Sequence, residues 1–234
     1  MTAPFDAKQD LADAPVTGAR LRPKDAATLI VVRRDREPAV LMGRRARGHV
    51  FMASKWVFPG GRIDRSDFRA AYTGDFDPRT AARLSHGAPP ARGRALALAA
   101  VRETFEETGL VVGAKAPPAS VAGPWRDYRA AGALPDLSAL TYMARAITPP
   151  GRARRFDARF FLADAEALID PDPIAGSGEL DEVAWIPLAE AETLDLPAIT
   201  RFVIGEVRQR LDDPDRPAPF VRFIRGRHDI QALD

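Results

Sequence analysis

A chain of 234 residues that is 46% hydrophobic and 28% charged has the make-up of a globular protein able to bury a sizeable core. Its formal net charge is only +2, and its 34 basic residues (30 Arg, 4 Lys) are spread along the chain, which argues against a dedicated nucleic-acid arm. Cysteine is absent, which excludes disulfides, thiolate catalysis and zinc held by Cys, and the three His (His49, His86, His228) stand at no ligand spacing, so a His-based metal site is not expected.

The opening residues, to about 22, are polar with Ala, Pro and Gly, and predict a loosely held arm without an apolar signal core. With no long apolar run either, the expectation is a cytoplasmic protein with no membrane span. Ala26 to Arg33 is apolar and β-branched and predicts a buried strand. A turn over Arg34 to Pro38 and an apolar Ala39 to Met42 complete a hairpin. Arg44, Arg45 and Arg47 follow it; a solvated strand end is the bland reading of Arg44 and Arg45.

Trp56 to Asp64 runs apolar residues into Pro59-Gly60-Gly61. Paired glycines let a backbone approach a ligand closely, although an ordinary tight turn reads the same way. Residues 68 to 93 break the regularity, with a short helix predicted around Thr80 to Leu84. From Arg94 to Thr108 the spacing of Leu96, Leu98, Val101 and Phe105 predicts a helix, capped by Gly109, with Leu110 to Val112 leading out as a strand.

That helix ends in Arg102-Glu103-Thr104-Phe105-Glu106-Glu107-Thr108-Gly109-Leu110. Three of the chain's ten Glu fall within five residues. Glu103 and Glu107 stand one turn apart on one face, with Glu106 beside them. Like charges at that spacing destabilise a helix by a few tenths of a kcal/mol per pair, roughly, and a hard divalent cation would relieve them. A solvated acidic face is the competing reading.

Further on, residues 113 to 137 form a connection with a short helix near Trp125 to Ala131. Leu140 to Ile147 and Arg159 to Ala163 predict strands, joined through Pro149-Pro150-Gly151 and the cluster Arg152, Arg154, Arg155, which reads as a solvated turn. Pro171 to Gly178 is a loop. Glu179 to Ile186 alternates acidic and apolar residues as a half-exposed strand does. Helices follow over Leu188 to Ala191 and Ala198 to Leu211, and the tail adds one strand, Phe220 to Ile224.

The glycine turn and the acidic helix together resemble the Nudix box of the Nudix hydrolases. That signature is a Gly, five residues, a Glu, seven residues, then Arg-Glu-apolar-x-Glu-Glu-x-Gly-apolar. Arg102 to Leu110 match its second half, with Thr104 in the aliphatic place. Phe58-Pro59-Gly60-Gly61 matches what precedes the box, and Asp67 stands where the family has Glu. The two halves are then separated by about 27 more residues than the signature allows. This interruption is similar to the branch that includes coenzyme A and acyl-coenzyme A diphosphatases. Of the motif upstream of Phe58 in that branch, Arg45 fits, while Val50 replaces an Arg and Ser54 a Gly.

The resemblance covers residues 24 to 210 or so and implies an α/β Nudix fold: a mixed β-sheet in an α/β/α sandwich. The expected organisation is an N-terminal arm over 1–22, a Nudix domain over 23–212 with residues 68–94 inserted in the box as a flap, and a C-terminal extension over 213–234. It implies hydrolysis of a diphosphate linked to another moiety, with Mg²⁺ or Mn²⁺ held by Gly61, Glu103, Glu106 and Glu107. Arg102 orients a carboxylate; Glu103, Glu179 or Glu182 is the base, Glu103 and Glu182 being the acids carried forward. Arg44, Arg45, Phe58 and Gly60 are placed against the substrate. Small-molecule diphosphates are the expected partners, with no nucleic acid and no membrane, and a homodimer is compatible with the sequence. A non-catalytic nucleotide-binding module is the reading from another class; such modules tend to lose box glutamates, and here all three persist. Isomerase chemistry on an isoprenyl diphosphate would want a reactive Cys, which is absent.

Overall fold

The apolar run after the arm forms β2 (Lys24–Arg33), the strand on which everything else is hung. In the computed structural model, which describes residues 5–13, 16–19, 21–34, 37–46, 54–170 and 179–234, it lies inside a mixed sheet. Side chains of a strand alternate between faces. Accordingly Leu29 and Val31 enter one core while Ile30 and Val32 enter the other. Sheets buried on both faces carry nearly continuous apolar runs, which is why this stretch lacks a polar alternation.

β3 (Ala39–Arg45) turns back on β2, pairing only at Val32–Val40 and Arg33–Ala39 before the two strands part. The widening gap is filled by β4 (Trp56–Val57), which pairs with β3, and β5 (Gly60–Arg62), which pairs antiparallel with β2. β8 (Thr141–Ile147), β10 (Phe156–Asp164), β11 (Leu180–Pro187), β12 (Ala218–Ile224) and β13 (Arg227–Leu233) complete the order β11-β3-β2-β10-β8-β12-β13. Outside it, β1 (Val16–Ala19) pairs with β9 (Gly151–Arg152) and β6 (Ala114–Lys115) with β7 (Ala133–Leu134), the latter two flanking α4 (Arg126–Ala130). β10 runs parallel to β2 and β12 parallel to β8; the other neighbours are antiparallel.

One face is covered by α2 (Pro78–Ser85) and α3 (Pro90–Thr108), whose Leu96, Leu98 and Val101 pack with Leu29, Val31 and Phe161. The other is covered by α6 (Ala198–Asp212), through Phe202, Val203 and Val207 against Ile30, Met42 and Phe160. α5 (Leu188–Ala191) precedes it. This is the expected α/β/α sandwich.

Several local expectations change. α3 starts at Pro90, four residues before the predicted Arg94, because Pro is tolerated in a helix's first turn. Leu110 to Val112 makes one isolated bridge, Val112 to Leu168, and no strand. The tail makes a hairpin, β12 with β13, rather than one strand. The arm's described residues are tied down: α1 (Ala7–Ala12) is capped by Asp6, Gln9 donates to the Leu196 carbonyl, Asp10 meets His228 at 2.8 Å, and Asp13 accepts the Ala198 amide.

The insertion is likewise no flap. Thr80 and Leu84 of α2 are buried, Thr80 Oγ1 accepts the Tyr142 amide, and buried Arg83 donates to the Asp215 carbonyl. The readings placed on Arg47, His49, Val50 and Pro171 to Gly178, and on part of the Arg34 to Pro38 turn, lie outside the described residues. Among the described residues no helix is long and apolar enough to cross a membrane.

Candidate active site

α3 carries its carboxylates toward the β5 turn because the C-terminal half of the helix is pinned from both sides. Gly109 closes it at φ 74°, its amide reaching the Phe105 carbonyl. That left-handed conformation suits Gly. Thr104, in the aliphatic place, is fully buried, and its hydroxyl donates to the Ala100 carbonyl at 2.8 Å. A buried hydroxyl bonded within its own helix costs little, so a Thr can replace an aliphatic there.

Glu107, 5% exposed, accepts the Gly60 amide at 3.1 Å. Burial pushes its pKa up to about 8. Glu103 faces Gly61: a Cβ added there would collide with its carboxylate. A Cβ on Gly60 would strike the Ala27 carbonyl and the backbone of Thr28. The two glycines are thus required by close approach, one to a carboxylate and one to the neighbouring strand. The halves of the motif, separated in sequence by the insertion, meet at this turn.

Arg102 is 4% exposed and saturated. It makes a two-pronged pair with Asp67 (Nε to Oδ1 2.9 Å, Nη2 to Oδ2 3.1 Å). Its Nη1 donates to Glu103 at 2.9 Å and Glu106 at 2.8 Å, and its Nη2 to the Arg62 carbonyl. Asp67 is wholly buried and also accepts from Trp125 Nε1 and the Asp64 amide. Asp67 therefore takes the place of the box Glu as the anchor of Arg102. Its side chain is one methylene shorter, and β5 brings it close enough.

The charges do not balance. Asp67, Glu103 and Glu106 share the Arg102 guanidinium, Glu107 is buried beside them with Arg45 as the cation acting on it, and burial raises the Glu103 and Glu106 pKa values despite Arg102. A surplus of hard oxygen donors in partly dry surroundings is the chemistry of a Mg²⁺ or Mn²⁺ site. Yet among the described residues no group of three or more Asp, Glu or His side chains converges to hold an ion. Glu103 and Glu106 are drawn to Arg102, and Glu107 is drawn to the Gly60 amide. The donor types fit a cation; convergence requires Glu106, 38% exposed at its side chain, to swing off Arg102.

A cleft of about 730 Å³ runs past this cluster. Gly60, Gly61, Arg102, Glu103, Glu106 and Glu179 line it, together with Lys24, Asp25, Arg45, Arg62, Asp64, Arg154 and Phe156. Beyond Gly60 and Gly61 opens a second cavity of about 220 Å³. Its walls are largely apolar: Phe5, Phe58, Phe156, Phe160, Ile199 and Val221. Buried Arg152 also lines it, with Nη1 lacking a hydrogen-bond partner.

Of the residues singled out in the sequence, Arg45, Gly60, Gly61, Arg102, Glu103 and Glu106 share the cleft, Glu107 sits beneath it, and Phe58 lines the apolar cavity. Arg44 and Glu182 do not reach it. They face each other across β3 and β11, 3.1 Å apart and half exposed, as residues directly opposite in a ladder do. Of the downstream acids Glu179 is the one in the cleft. Lys24, Arg62 and Phe156 were not assigned a role by sequence reasoning, Asp67 only marked the place of the box Glu, and the solvated turn expected at Arg152 and Arg154 is corrected: Arg152 is 1% exposed and lines the apolar cavity, and Arg154 lines both it and the cleft. Arg62 carried a signal, since it directly follows the glycine pair.

The sequence model of the NUDIX domain family matches residues 23–204. Acyl-coenzyme A diphosphatase NUDT19 of Gallus gallus is 28% identical over 207 residues, covering 65% of this chain and 54% of that protein. The chain thus spans about half the length of that curated relative. A solved NUDIX hydrolase from Alicyclobacillus acidocaldarius superposes with a TM-score of 0.62 at 27% identity, over 83% of this chain and 97% of the other. The NUDIX domain of Shewanella oneidensis NrtR, solved with ADP ribose, superposes at 0.50 with 15% identity over 88% and 99%, a likeness of fold alone.

Proposed function

Because the chain belongs to the NUDIX domain family, we propose that it hydrolyses the diphosphate linkage of a nucleoside diphosphate-X substrate with Mg²⁺ or Mn²⁺, coenzyme A or an acyl-coenzyme A being preferred over ADP-ribose or NADH. The observation that carries this reading is the seating of Glu103 and Glu107 on the Gly60-Gly61 turn, which joins the two halves of the split motif. A binding module has no need of that assembly together with a carboxylate surplus.

Glu103, Glu106, Glu107 and the Gly61 carbonyl would hold the cation. When bound it neutralises charge on the diphosphate and acidifies the attacking water. Arg102 positions Glu103 and Glu106, and Asp67 holds Arg102 in place. Arg45, Arg62 and Arg154 bind the diphosphate oxygens, as guanidiniums in a cleft are suited to do. A water oxygen bonds to one phosphorus, the bridging P–O bond breaks, and two phosphate monoesters leave. Glu179 takes the proton, since Glu103 is tied to Arg102 and Glu182 stands outside the cleft.

The preference for coenzyme A rests on the apolar cavity adjoining Gly60 and Gly61, which suits a long uncharged arm. The unpartnered N–H of Arg152 offers that arm's carbonyls a donor. The relative from Gallus gallus, named as an acyl-coenzyme A diphosphatase, supports the same choice. The test is a panel of coenzyme A, acyl-coenzyme A, ADP-ribose, NADH, dinucleoside polyphosphates and nucleoside triphosphates with each metal, products identified by mass. Coenzyme A should yield adenosine 3′,5′-bisphosphate and phosphopantetheine. No hydrolysis across the panel refutes the enzyme.

A further inference from the structure

Alongside the cleft, meeting the apolar cavity at Arg154 and Phe156, lies a third concavity of about 400 Å³. Arg22, Lys24, Arg62, Arg154 and Arg155 line it with Phe156, and no carboxylate does. Arg155 is occupied with backbone carbonyls of Thr148 and Leu21. The side chains of Arg22, Lys24, Arg62 and Arg154 have no ion-pair partner among the described residues. The less exposed Arg145, Arg159 and Arg216 are by contrast paired, with Asp157, Asp25 and Glu206. Four uncompensated cations lining one hollow repel one another, and a polyanion entering the hollow removes that repulsion.

The hollow is continuous with the reaction cleft, because Lys24, Arg62, Arg154 and Phe156 line both. A molecule lying along the cleft with its diphosphate over Glu103 therefore reaches the hollow with its nucleoside half, while its other arm enters the apolar cavity. The diphosphate itself is met in the cleft by Arg45, Arg62 and Arg154. Arg22 lines only the hollow, so its charge serves an anion beyond the diphosphate. The size is that of a sugar-phosphate, and a phosphomonoester dianion is the nucleoside substituent that draws guanidinium and ammonium groups most strongly.

We propose that this hollow is a binding site for a phosphomonoester on the ribose of the substrate nucleoside, so that the enzyme selects substrates with a third phosphate over those with an unsubstituted ribose. The inference rests on the reading that a nucleoside diphosphate occupies the cleft. It divides the substrates left open above: coenzyme A and NADPH carry such a phosphate, whereas dephospho-coenzyme A, NADH and ADP-ribose do not.

Calorimetry on the full chain with Mg²⁺ tests the site without turnover, using 5′-AMP, adenosine 3′,5′-bisphosphate and adenosine 2′,5′-bisphosphate. One or both bisphosphates should bind about tenfold or more tightly than 5′-AMP, with an advantage that shrinks as salt rises, and the two isomers identify which ribose hydroxyl is read. Arg22→Gln combined with Lys24→Gln should bring the ratio to within about threefold, and Arg22→Lys with Lys24→Arg should keep it, since both residues are exposed and unpaired and the swap retains the charge. Equal binding of 5′-AMP and both bisphosphates, or a ratio unchanged in the double Gln variant, overturns the site. Hydrolysis is read separately, as kcat/KM on coenzyme A against dephospho-coenzyme A. A preserved binding ratio with no cleavage of either refutes the proposed reaction and leaves the site standing. Cleavage of both at equal rates with equal binding refutes the site and leaves the reaction standing.

Discussion

Glu107→Gln separates what the carboxylate does for the reaction from what it costs the fold. Glu107 is 5% exposed, with the Gly60 amide at 3.1 Å, and burial lifts its pKa from 4.5 to about 8. A carboxyl whose pKa is higher folded than unfolded binds more protons in the folded state between the two values. Its contribution to stability is therefore complete below pH 4.5 and is lost as pH rises through 8. Each pH unit in that window removes about 1.4 kcal/mol, so metal-free protein at pH 7 carries a penalty of up to about 3 kcal/mol from this one group. Gln keeps an oxygen for the Gly60 amide and does not titrate. Metal-free Glu107→Gln should thus melt at or below the wild-type temperature near pH 5 and several degrees above it near pH 8, at roughly 2–4 °C per kcal/mol for a chain of this size. Mn²⁺ should stabilise the wild type at pH 8 and stabilise the variant far less, because the cation is bound through the ionised carboxylate. Turnover should fall by orders of magnitude. Melting curves at pH 5, 6, 7 and 8, with and without Mn²⁺, check all of this. Parallel pH dependence in the two proteins would refute the burial argument, and near-normal turnover with Mg²⁺ would refute the metal assignment.

Other substitutions probe neighbouring steps. Gly61→Ala should leave the fold intact but displace the Glu103 carboxylate, lowering kcat about a hundredfold or more by misplacement of a reacting group; unchanged kcat removes Gly61 from the site. Asp67→Ala removes the two-pronged partner of buried Arg102 and leaves its Nε without an acceptor, so urea denaturation should show a loss of about 3–5 kcal/mol, partly recovered by adding Arg102→Met; a loss below about 1 kcal/mol would mean that Glu103 and Glu106 suffice to hold Arg102. Glu179→Gln should cut kcat by about 10²-fold or more, while Glu182→Gln stays within about twofold, as expected of a general base and of an exposed ion pair; the reverse order would restore Glu182 as the base. Leu84→Ala should lower stability by about 2–4 kcal/mol without altering the ratio of rates on two substrates; an altered ratio would give the insertion a role in selection.

What could be read from the sequence was what depends on spacing along the chain. β2, α3, the Gly109 cap and the face shared by Glu103 and Glu107 follow from apolar period and residue type within a dozen residues. The sandwich followed from the split motif and its flanking strands. What could not be read depends on pairs far apart in sequence. Asp67 looked like a shortened box Glu, and only its four hydrogen bonds to Arg102, Trp125 and Asp64 show it as the anchor of Arg102 on α3. Glu182 and Glu179 are indistinguishable by composition; strand register sends one to Arg44 and the other into the cleft. The short helix expected around Thr80 to Leu84 is α2, but its packing could not be read: Asp77 caps it and Leu84 fills the space that Gly93 leaves on α3. β13, Arg227 to Leu233, alternates weakly because its outer edge is solvated, so its only strong partner is β12.

The basic hollow is the most instructive case. Its five cations come from three places in the chain, Arg22 with Lys24, Arg62, and Arg154 with Arg155, each of them unremarkable locally. The parallel pairing of β10 with β2 sets Phe156 opposite Lys24, and the pairing of β5 with β2 sets Arg62 opposite Ala26. Five ordinary residues from three stretches become a phosphate-sized concentration of charge because β2 sits between the strands that carry the others. On the proposed reading, selectivity is thus set by strand order, whereas the carboxylates of the box are set by spacing along one helix.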